Sequence, residues 1–279
     1  MSVSILILTL NEEFNLPRCL SSVSWCNDIV VLDSYSSDKT AQIAKKSKVR
    51  FAQRVFDDYA SQRNYGLNQI KYQNPWVLMV DADEVVSPAL ADEIHALLNL
   101  KDNDISLYYM RRKDFFFGKW IKHSSGYPTW FGRLARIGTV VVERAINEEY
   151  RCHGKKGFLK EHLFHYPFDN GIQRWIEKHN FYSTMEAEIL ESEKASDLRW
   201  IELVDKDPVI RRKMIKAFVY RLPLRPLIIF FALFLVRGGF LDGRPGLTFC
   251  LLKTYYEFII NCKAKEIRFR KKMKSAKYG

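Results

Sequence analysis

Cysteine is scarce in this sequence. There are five, Cys19, Cys26, Cys152, Cys250 and Cys262, and no two form a CxxC pair. That excludes a disulfide-stapled scaffold and a four-cysteine zinc site, and it leaves buried thiols in a reducing compartment as the expectation. Glycine-rich phosphate loops are missing too. Neither GxGxxG nor GxxxxGKS/T occurs, so the dinucleotide-binding and P-loop readings lose the loop that defines them. No apolar run approaches the about 20 residues that a spanning helix needs. Leu227–Val236 is uncharged but only ten residues long. The opening stretch, MSVSILILTLNEE, has no basic segment and no small-residue cleavage site, so it reads as a strand and not as a signal peptide. Internal repeats and low-complexity linkers are absent as well.

Acidic residues are thin only at one end. Residues 206–279 carry 18 basic and 4 acidic side chains, whereas residues 1–205 carry 26 and 28. The formal net charge of +12 therefore belongs to the last quarter. A uniformly basic nucleic-acid binder is excluded, and no nucleic-acid partner is expected. With 279 residues, 47% hydrophobic and 27% charged, the chain has the make-up of a folded protein of one large or two smaller domains. The charge split suggests the boundary: a domain over 1–205 and a basic helical segment over 206–279.

The apolar pattern of the first domain alternates between strand and helix. Val3–Leu8, Ile29–Leu32 and Trp76–Val80 are short continuous apolar runs, as expected of parallel strands buried on both faces. A further strand is expected near 49–51. Helices are predicted over Leu16–Val23, 38–46, Ala60–Ile70 and Pro88–Leu98, the last opened by Ser87 as N-cap and Pro88 at the first turn. This alternation gives an α/β domain with a mostly parallel, Rossmann-like sheet. Ser106–Met110 and Thr139–Val142 read as added strands, and a long helix begins at Gly171. Near the C-terminus, Gly238, Gly239, Gly243, Pro245 and Gly246 are expected to break the chain between two short apolar stretches. The second, Leu247–Ile260, leads into a tail with eight basic residues and Glu266 between Lys263 and Lys277. Short broken apolar helices with basic flanks suit docking in the interface of an anionic membrane better than crossing it.

Ligands of open α/β sheets bind at the carboxyl ends of the strands. Three polar clusters fall there: Thr9-Leu10-Asn11-Glu12, Asp33-Ser34 and the residues to Asp38, and Asp81-Ala82-Asp83-Glu84. Asp81 and Asp83 can offer oxygen ligands to Mg²⁺ or Mn²⁺, which bridges the phosphates of a nucleotide. Acidic loop residues ahead of the Ser87 cap are the plainer alternative. His162 and His165, in HLFHYP, read as structural histidines of a buried aromatic strand, because no third ligand lies at helix spacing.

The set as a whole resembles the family 2 glycosyltransferases of GT-A fold. The residues that carry the resemblance are Thr9, Asn11 and Glu12, then Asp33, Ser34, Ser36, Asp38 and Thr40, then Gln62, Arg63 and Asn64, then Asp81, Asp83 and Glu84. Arg133-Leu134 after Trp130, Asn147-Glu148, Lys178 to Ser183 and Arg237 to Arg244 extend it towards the lipopolysaccharide-core β-1,4-glucosyltransferase branch. That branch usually has His-Glu where this chain has Asn147-Glu148. The resemblance implies an inverting, metal-dependent hexosyltransferase. Its implied donor is UDP-glucose or another UDP-hexose, and its implied acceptor is a lipid-linked saccharide of lipopolysaccharide or another cell-surface polysaccharide. The implied location is the cytoplasmic face of the inner cell membrane, as a peripheral or monotopic protein.

Residue roles follow from the same resemblance. Asp33 would accept from the base ring, with Thr9, Leu10, Asn11, Glu12, Ser34, Asp81 and Ala82 lining the nucleotide sugar. Arg63 is a structural or a substrate contact. Asp83, assisted by Asp81, would hold Mg²⁺ or Mn²⁺ on the diphosphate. Glu148 is the candidate base for the acceptor hydroxyl, or else an exposed loop acid beside Glu149. Trp130 and Arg133 are acceptor-side candidates. Two other classes compete: a catalytically silent, membrane-docked nucleotide-binding scaffold, and a nucleotidyltransferase. The second would want a basic phosphate loop near the first strand, and none is present.

Overall fold

The structure is a computed structural model that describes residues 3–98, 104–143, 149–192, 222 and 224–278. The chain divides into two compact units. The first comprises Met1–Lys122 and Tyr127–Gly171, and the second His123–Gly126 and Ile172–Gly279. The boundary expected at 205/206 lies outside the described residues.

The first unit is built on one mixed sheet. Strands β1 (Val3–Thr9), β2 (Ile29–Asp33), β3 (Arg50–Gln53) and β4 (Trp76–Asp81) form its parallel half, in the order β3-β2-β1-β4. The sheet continues through β8 (Trp130–Arg136), β6 (Ile105–Phe116), β11 (Lys155–His165) and β5 (Glu84–Val86), with β7 (Lys119–Trp120) on β6. A separate hairpin joins β9 (Val140–Glu143) to β10 (Glu149–Cys152). Helices α1 (Leu16–Ser22), α2 (Thr40–Lys46), α3 (Tyr59–Gln69) and α4 (Pro88–Leu98) fill the connections. This is the α/β architecture that the sequence pattern implied, and it has the mostly parallel central sheet of a GT-A fold.

Residues on β1 alternate between two cores, because successive strand side chains point to opposite faces. Val3, Ile5 and Ile7 meet Leu16 and Cys19 of α1, Val23 just after it, and Leu90 and Ile94 of α4. Leu6 meets Ala60 and Leu67 of α3 and Val140 and Val142 of the hairpin. Each fully buried aliphatic side chain contributes about 1.5–3 kcal/mol, so both faces select apolar residues and the run reads unbroken. Gly66 lets α3 lie directly on β1, since a Cβ there would collide with the Leu6 side chain. Ser87 caps α4 as expected, its Oγ accepting from Leu90 N at 3.2 Å.

One strand direction matters for everything below. β8 is antiparallel to both β4 and β6, and β11 is parallel to β6. The carboxyl ends of β6 and β11 therefore reach the same edge of the sheet as those of β1, β2 and β4.

The second unit is helical in its described parts. α5 (Gly171–Ser192) places Ala187 against Ile260 and Ala264 of α7 (Gly243–Tyr278). Before α7 come α6 (Arg225–Phe231), a π-helical turn (Ala232–Val236) and a 3-10 turn (Gly239–Asp242). The break is narrower than the glycines suggested. Gly238, at φ 75°, makes the turn, whereas Gly243 opens a helix with Pro245 in its first turn, where a missing N–H costs nothing. Gly246 allows close passage, since a Cβ would strike the Gly239 carbonyl oxygen. The apolar stretch and the basic tail thus form one 36-residue helix.

Buried polar anchors hold this unit. Arg225 is 1% exposed and bonds to Glu257 and Asn261 of α7. Asp242 is 2% exposed and accepts from His123 N, Ser124 N and Ser124 Oγ at 2.9, 2.8 and 2.7 Å, while its other oxygen faces His123 Nδ1 at 2.9 Å. Burial opposes its charge, but these bonds hold its carboxyl below the usual range. Among the described residues, no single helix is long and apolar enough to cross a membrane. The pair Arg225–Val236 and Gly239–Lys274, bent by 69°, passes that test only together. Leu224, Leu227, Phe231, Leu235, Val236, Phe240 and Leu241 are all more than half exposed along it.

Candidate active site

Three strand ends supply the candidate site. At the first, Thr9 closes β1 and Asp33 closes β2. Asp33 is wholly buried. Its Oδ1 accepts from Thr9 Oγ1 at 2.9 Å and Ser36 Oγ at 2.5 Å, and its Oδ2 from Ser36 N at 3.0 Å and Gln53 Nε2 at 3.1 Å. Both oxygens are thus engaged within the protein. The direct contact with a base ring expected of Asp33 is not what this geometry offers; Asp33 instead shapes the loop after β2. The loop after β1 is tied to the same segment. Asn11, at φ 55°, donates its N–H to Ser36 Oγ at 2.8 Å and accepts from Ser37 N at 2.8 Å. Glu12 N donates to Thr40 Oγ1 at 2.8 Å, and the Glu12 carboxylate accepts from Asn15 and Asn170. Ser34 Oγ accepts from Gln62 Nε2 at 3.1 Å. Leu10 remains 37% exposed at the rim. These bonds sew the two loops together at the carboxyl ends of β1 and β2.

At the third strand end, charges alternate along a chain of contacts. Arg63 NH2 donates to Asp81 Oδ1 at 2.8 Å, and Arg133 NH2 donates to Asp81 Oδ2 at 2.7 Å and to Glu84 Oε1 at 2.9 Å. Arg112 lies 3.4 Å from Glu84 and 3.0 Å from Asp114. Asp114 Oδ1 meets His165 Nδ1 at 2.6 Å, and His165 Nε2 faces Asp83 Oδ2 at 3.3 Å. The members come from six elements and a turn: Arg63 from α3, Asp81 from β4, Asp83 from the turn after it, Glu84 from β5, Arg112 and Asp114 from β6, Arg133 from β8, His165 from β11. Burial opposes ionisation of Asp81, but Arg133 and Arg63 hold its carboxyl well below the usual range. Burial and Arg112 both oppose a charged His165; Asp83 and Asp114 on either side outweigh them and push it up to about 9. The chain therefore ends in an imidazolium gripped by two carboxylates.

This arrangement revises several expected roles. Arg63 is a structural contact, 2% exposed and bonded to Asp81. Arg133 is equally buried and bridges two carboxylates, so it does not reach an acceptor. Asp81 has both oxygens on guanidinium groups, which removes it as a ready metal ligand. Asp83 keeps its candidacy. With His165 Nε2 it offers one oxygen and one nitrogen donor at a spacing that fits a divalent cation in place of the shared proton, the remaining positions falling to phosphate oxygens and water. Among the described residues, no group of three or more His, Cys, Asp or Glu is placed to hold a metal ion. Ala82 is buried, with its N–H on the Leu8 carbonyl, and so links β4 to β1. Trp130 is 39% exposed, as an acceptor-side platform would need to be. Glu148 lies outside the described residues.

His165, Asp114 and Arg112 were missed as site residues. A pair of histidines in an aromatic strand gives no sign of its partners when those lie on β6 and in the turn after β4. The available signal was strand alternation, which puts Arg112 and Asp114 on one face of β6.

Comparison with known proteins points to one family. The family model described as glycosyl transferase family 2 matches residues 4–164. An uncharacterized glycosyltransferase of Rickettsia conorii is 27% identical over 282 residues, spanning 97% of this chain and 92% of its own length. A lipopolysaccharide core biosynthesis glycosyltransferase, LpsC of Rhizobium meliloti, is 32% identical over 117 residues, which is 40% of this chain and 43% of that protein. Among solved structures, S. aureus TarS 1–349 aligns with 96% of this chain and 91% of its own at 14% identity and a TM-score of 0.44.

Proposed function

This chain belongs to glycosyl transferase family 2, and from that premise we propose that it is an inverting hexosyltransferase using UDP-glucose or a related UDP-hexose. Its acceptor is a lipid-linked saccharide of lipopolysaccharide or another surface polysaccharide, met at the cytoplasmic face of the inner membrane. The observation that carries the reading is the Asp83–His165 pair, 3.3 Å apart at the carboxyl edge, after the strand that neighbours β1. Polar loops that could line a nucleoside next to a donor pair for Mg²⁺ or Mn²⁺ are what a nucleotide sugar requires. When bound, the cation supplies positive charge to the leaving diphosphate, so no protonated acid is needed there. The protein's own groups do the rest. The Arg63–Asp81–Arg133–Glu84 contacts fix the turn that carries Asp83. Asp114 fixes the His165 ring. Glu148 takes the proton of the acceptor hydroxyl as its oxygen attacks the anomeric carbon and the bond to the diphosphate breaks.

The second unit supports a peripheral, monotopic attachment. Its exposed apolar residues suit the acyl boundary and its basic helix suits anionic headgroups. The test is a panel of nucleotide hexoses with Mg²⁺, Mn²⁺ or a chelator, reading release of nucleoside diphosphate. Release from a UDP-hexose that the chelator stops is expected, and release undiminished by the chelator would sink the metal assignment. Glu148→Gln should lower turnover by about 10²–10⁴-fold with donor binding little changed. An unaltered rate would remove Glu148 as base.

A further inference from the structure

β6 and β11 have two faces, and the chain of charges uses only one. Arg112, Asp114 and His165 point into it. The alternate residues Arg111, Lys113, His162 and Phe164 belong to the other face, at the same carboxyl edge. There they meet aromatic rings. Arg111 pairs in register with Trp130 and its guanidinium lies 5.1 Å from that ring's centre. Lys113 Nζ is 4.8 Å from the Trp120 ring and 5.7 Å from Phe164. Lys122 Nζ is 5.7 Å from the centre of the same Trp120 ring. Tyr127 stands edge-on to Trp120 at 5.3 Å and bonds to His162 Nε2 at 2.9 Å. Phe158, 61% exposed, packs edge-on against Trp130 at 5.1 Å.

The charges of this patch are unbalanced. Among the described residues, Arg111, Lys113 and Lys122 form no ion pair with any carboxylate. The nearest acid of the cluster is Glu161, 3.8 Å from His162 Nδ1. Trp120 Nε1 is buried without an acceptor, and so is Arg111 Nε. Cations resting on rings gain from the ring quadrupole; Arg111 NH2 also donates to the Lys160 carbonyl, whereas the Lys113 and Lys122 ammonium groups keep their donors for an anion. Aromatic faces, in turn, suit the apolar C–H faces of a sugar ring. Donors without an acceptor, cations without a carboxylate and exposed rings on one surface have a single common complement: a saccharide that carries a negative group.

We propose that the surface around Trp130, Arg111, Lys113 and Trp120 is an acceptor subsite for an anionic saccharide, one bearing a phosphate ester or a carboxylate. This rests on the transferase reading, and it gives to Arg111 and Lys113 the acceptor-side role that buried Arg133 does not fill. Trp130 stacks on the sugar, the Arg111 guanidinium, anchored through NH2 to the Lys160 carbonyl, adds a fixed positive charge, and Lys113 adds a mobile one.

The experiment titrates the full chain, with UDP present to fill the donor side, against glucose 6-phosphate, glucuronate, glucose and inorganic phosphate, read by ligand-observed NMR. Glucose 6-phosphate should bind at least about tenfold more tightly than glucose and more tightly than phosphate alone. Arg111→Gln and Lys113→Gln should each reduce that preference, and Lys113→Arg should restore it. Thermal melting confirms that the variants fold. Trp130→Ala should weaken glucose and its phosphate alike. Glucuronate binding like the phosphate ester supports any anionic group, and binding like glucose narrows the subsite to phosphate. Equal affinity for glucose and its phosphate, no binding of either, a preference that survives both glutamine substitutions, or phosphate alone binding as tightly as its ester would each overturn the proposal. UDP binding is titrated separately, and its failure would count against the nucleotide reading alone.

Discussion

The charge chain of the first unit and the basic end of α7 in the second treat charge in opposite ways. In the first, eight side chains from Arg63 to Asp83 alternate in sign, and most of them are buried. In the second, the basic residues of α7 from Lys265 to Lys274 are mostly exposed and lie on the same helix as exposed apolar residues such as Leu251, Phe258 and Phe269. The first pattern fixes positions, because a buried charge is tolerable only with its partner in place. The second fixes little beyond Arg268, which pairs with Glu191 of α5 at 2.8 Å. A solvated cation on a long stem acts by its sign, over about 8 Å at physiological salt. Net charge therefore says little about where the chemistry is. The near-neutral unit holds the site, and the strongly basic one holds a surface.

The largest effect should come from breaking the buried pattern. Arg133→Ala leaves Asp81 and Glu84 without their shared donor, and the loss should be about 3–5 kcal/mol in denaturant unfolding. A loss below about 1 kcal/mol would mean that these groups behave like surface pairs, and the contrast would fail.

The exposed pattern should respond gradually. Neutralising Lys271 or Lys272 should weaken association with anionic vesicles by about 1 kcal/mol each, roughly fivefold, with no change in unfolding. High salt should weaken association without abolishing it, because the apolar residues remain. A chain cut before Lys265 that still partitions fully would remove the basic helix from this role.

A smaller effect would sharpen the comparison. His179 is a titratable group inside the second unit, an imidazole away from the buried Arg225 and Asp242 anchors. It stacks on Trp175 with ring centres 3.6 Å apart, and its Nδ1 bonds to the Trp175 carbonyl at 2.9 Å. Burial, with Lys253 adding, pushes it down to about 3. Folded protein then binds fewer protons than unfolded protein, so stability should fall as pH drops through the unfolded value near 6.5. Melting between pH 7 and 5 should show this drift in the parent and not in His179→Gln. Equal slopes would mean that His179 is not held neutral by the fold.

Much of the first unit was legible in sequence because its central strands are buried on both faces. Val3–Leu8, Ile29–Leu32 and Trp76–Val80 could hardly be anything else, and Ser87-Pro88 announces α4. β6 was legible only to Met110, since its outer half carries Arg112 and Asp114, charges that make sense once β5, β8 and β11 are beside them. The same reason hid His165. Asp83 was found because it follows a strand, a local fact. Arg133 was found but misassigned, because its partners lie 52 and 49 residues away. Glycine misled at Gly243, where the sequence reads as a break and the backbone begins a helix.

Asp242 has a consequence for how the protein can be taken apart. Its four hydrogen-bonding contacts come from His123 and Ser124, which the chain contributes on a short excursion between β7 and β8. A fragment beginning at residue 172 would retain the carboxylate and lose all of them. The C-terminal unit is therefore no cassette. A chimera that joins it to another sheet must also import a matching four-residue loop.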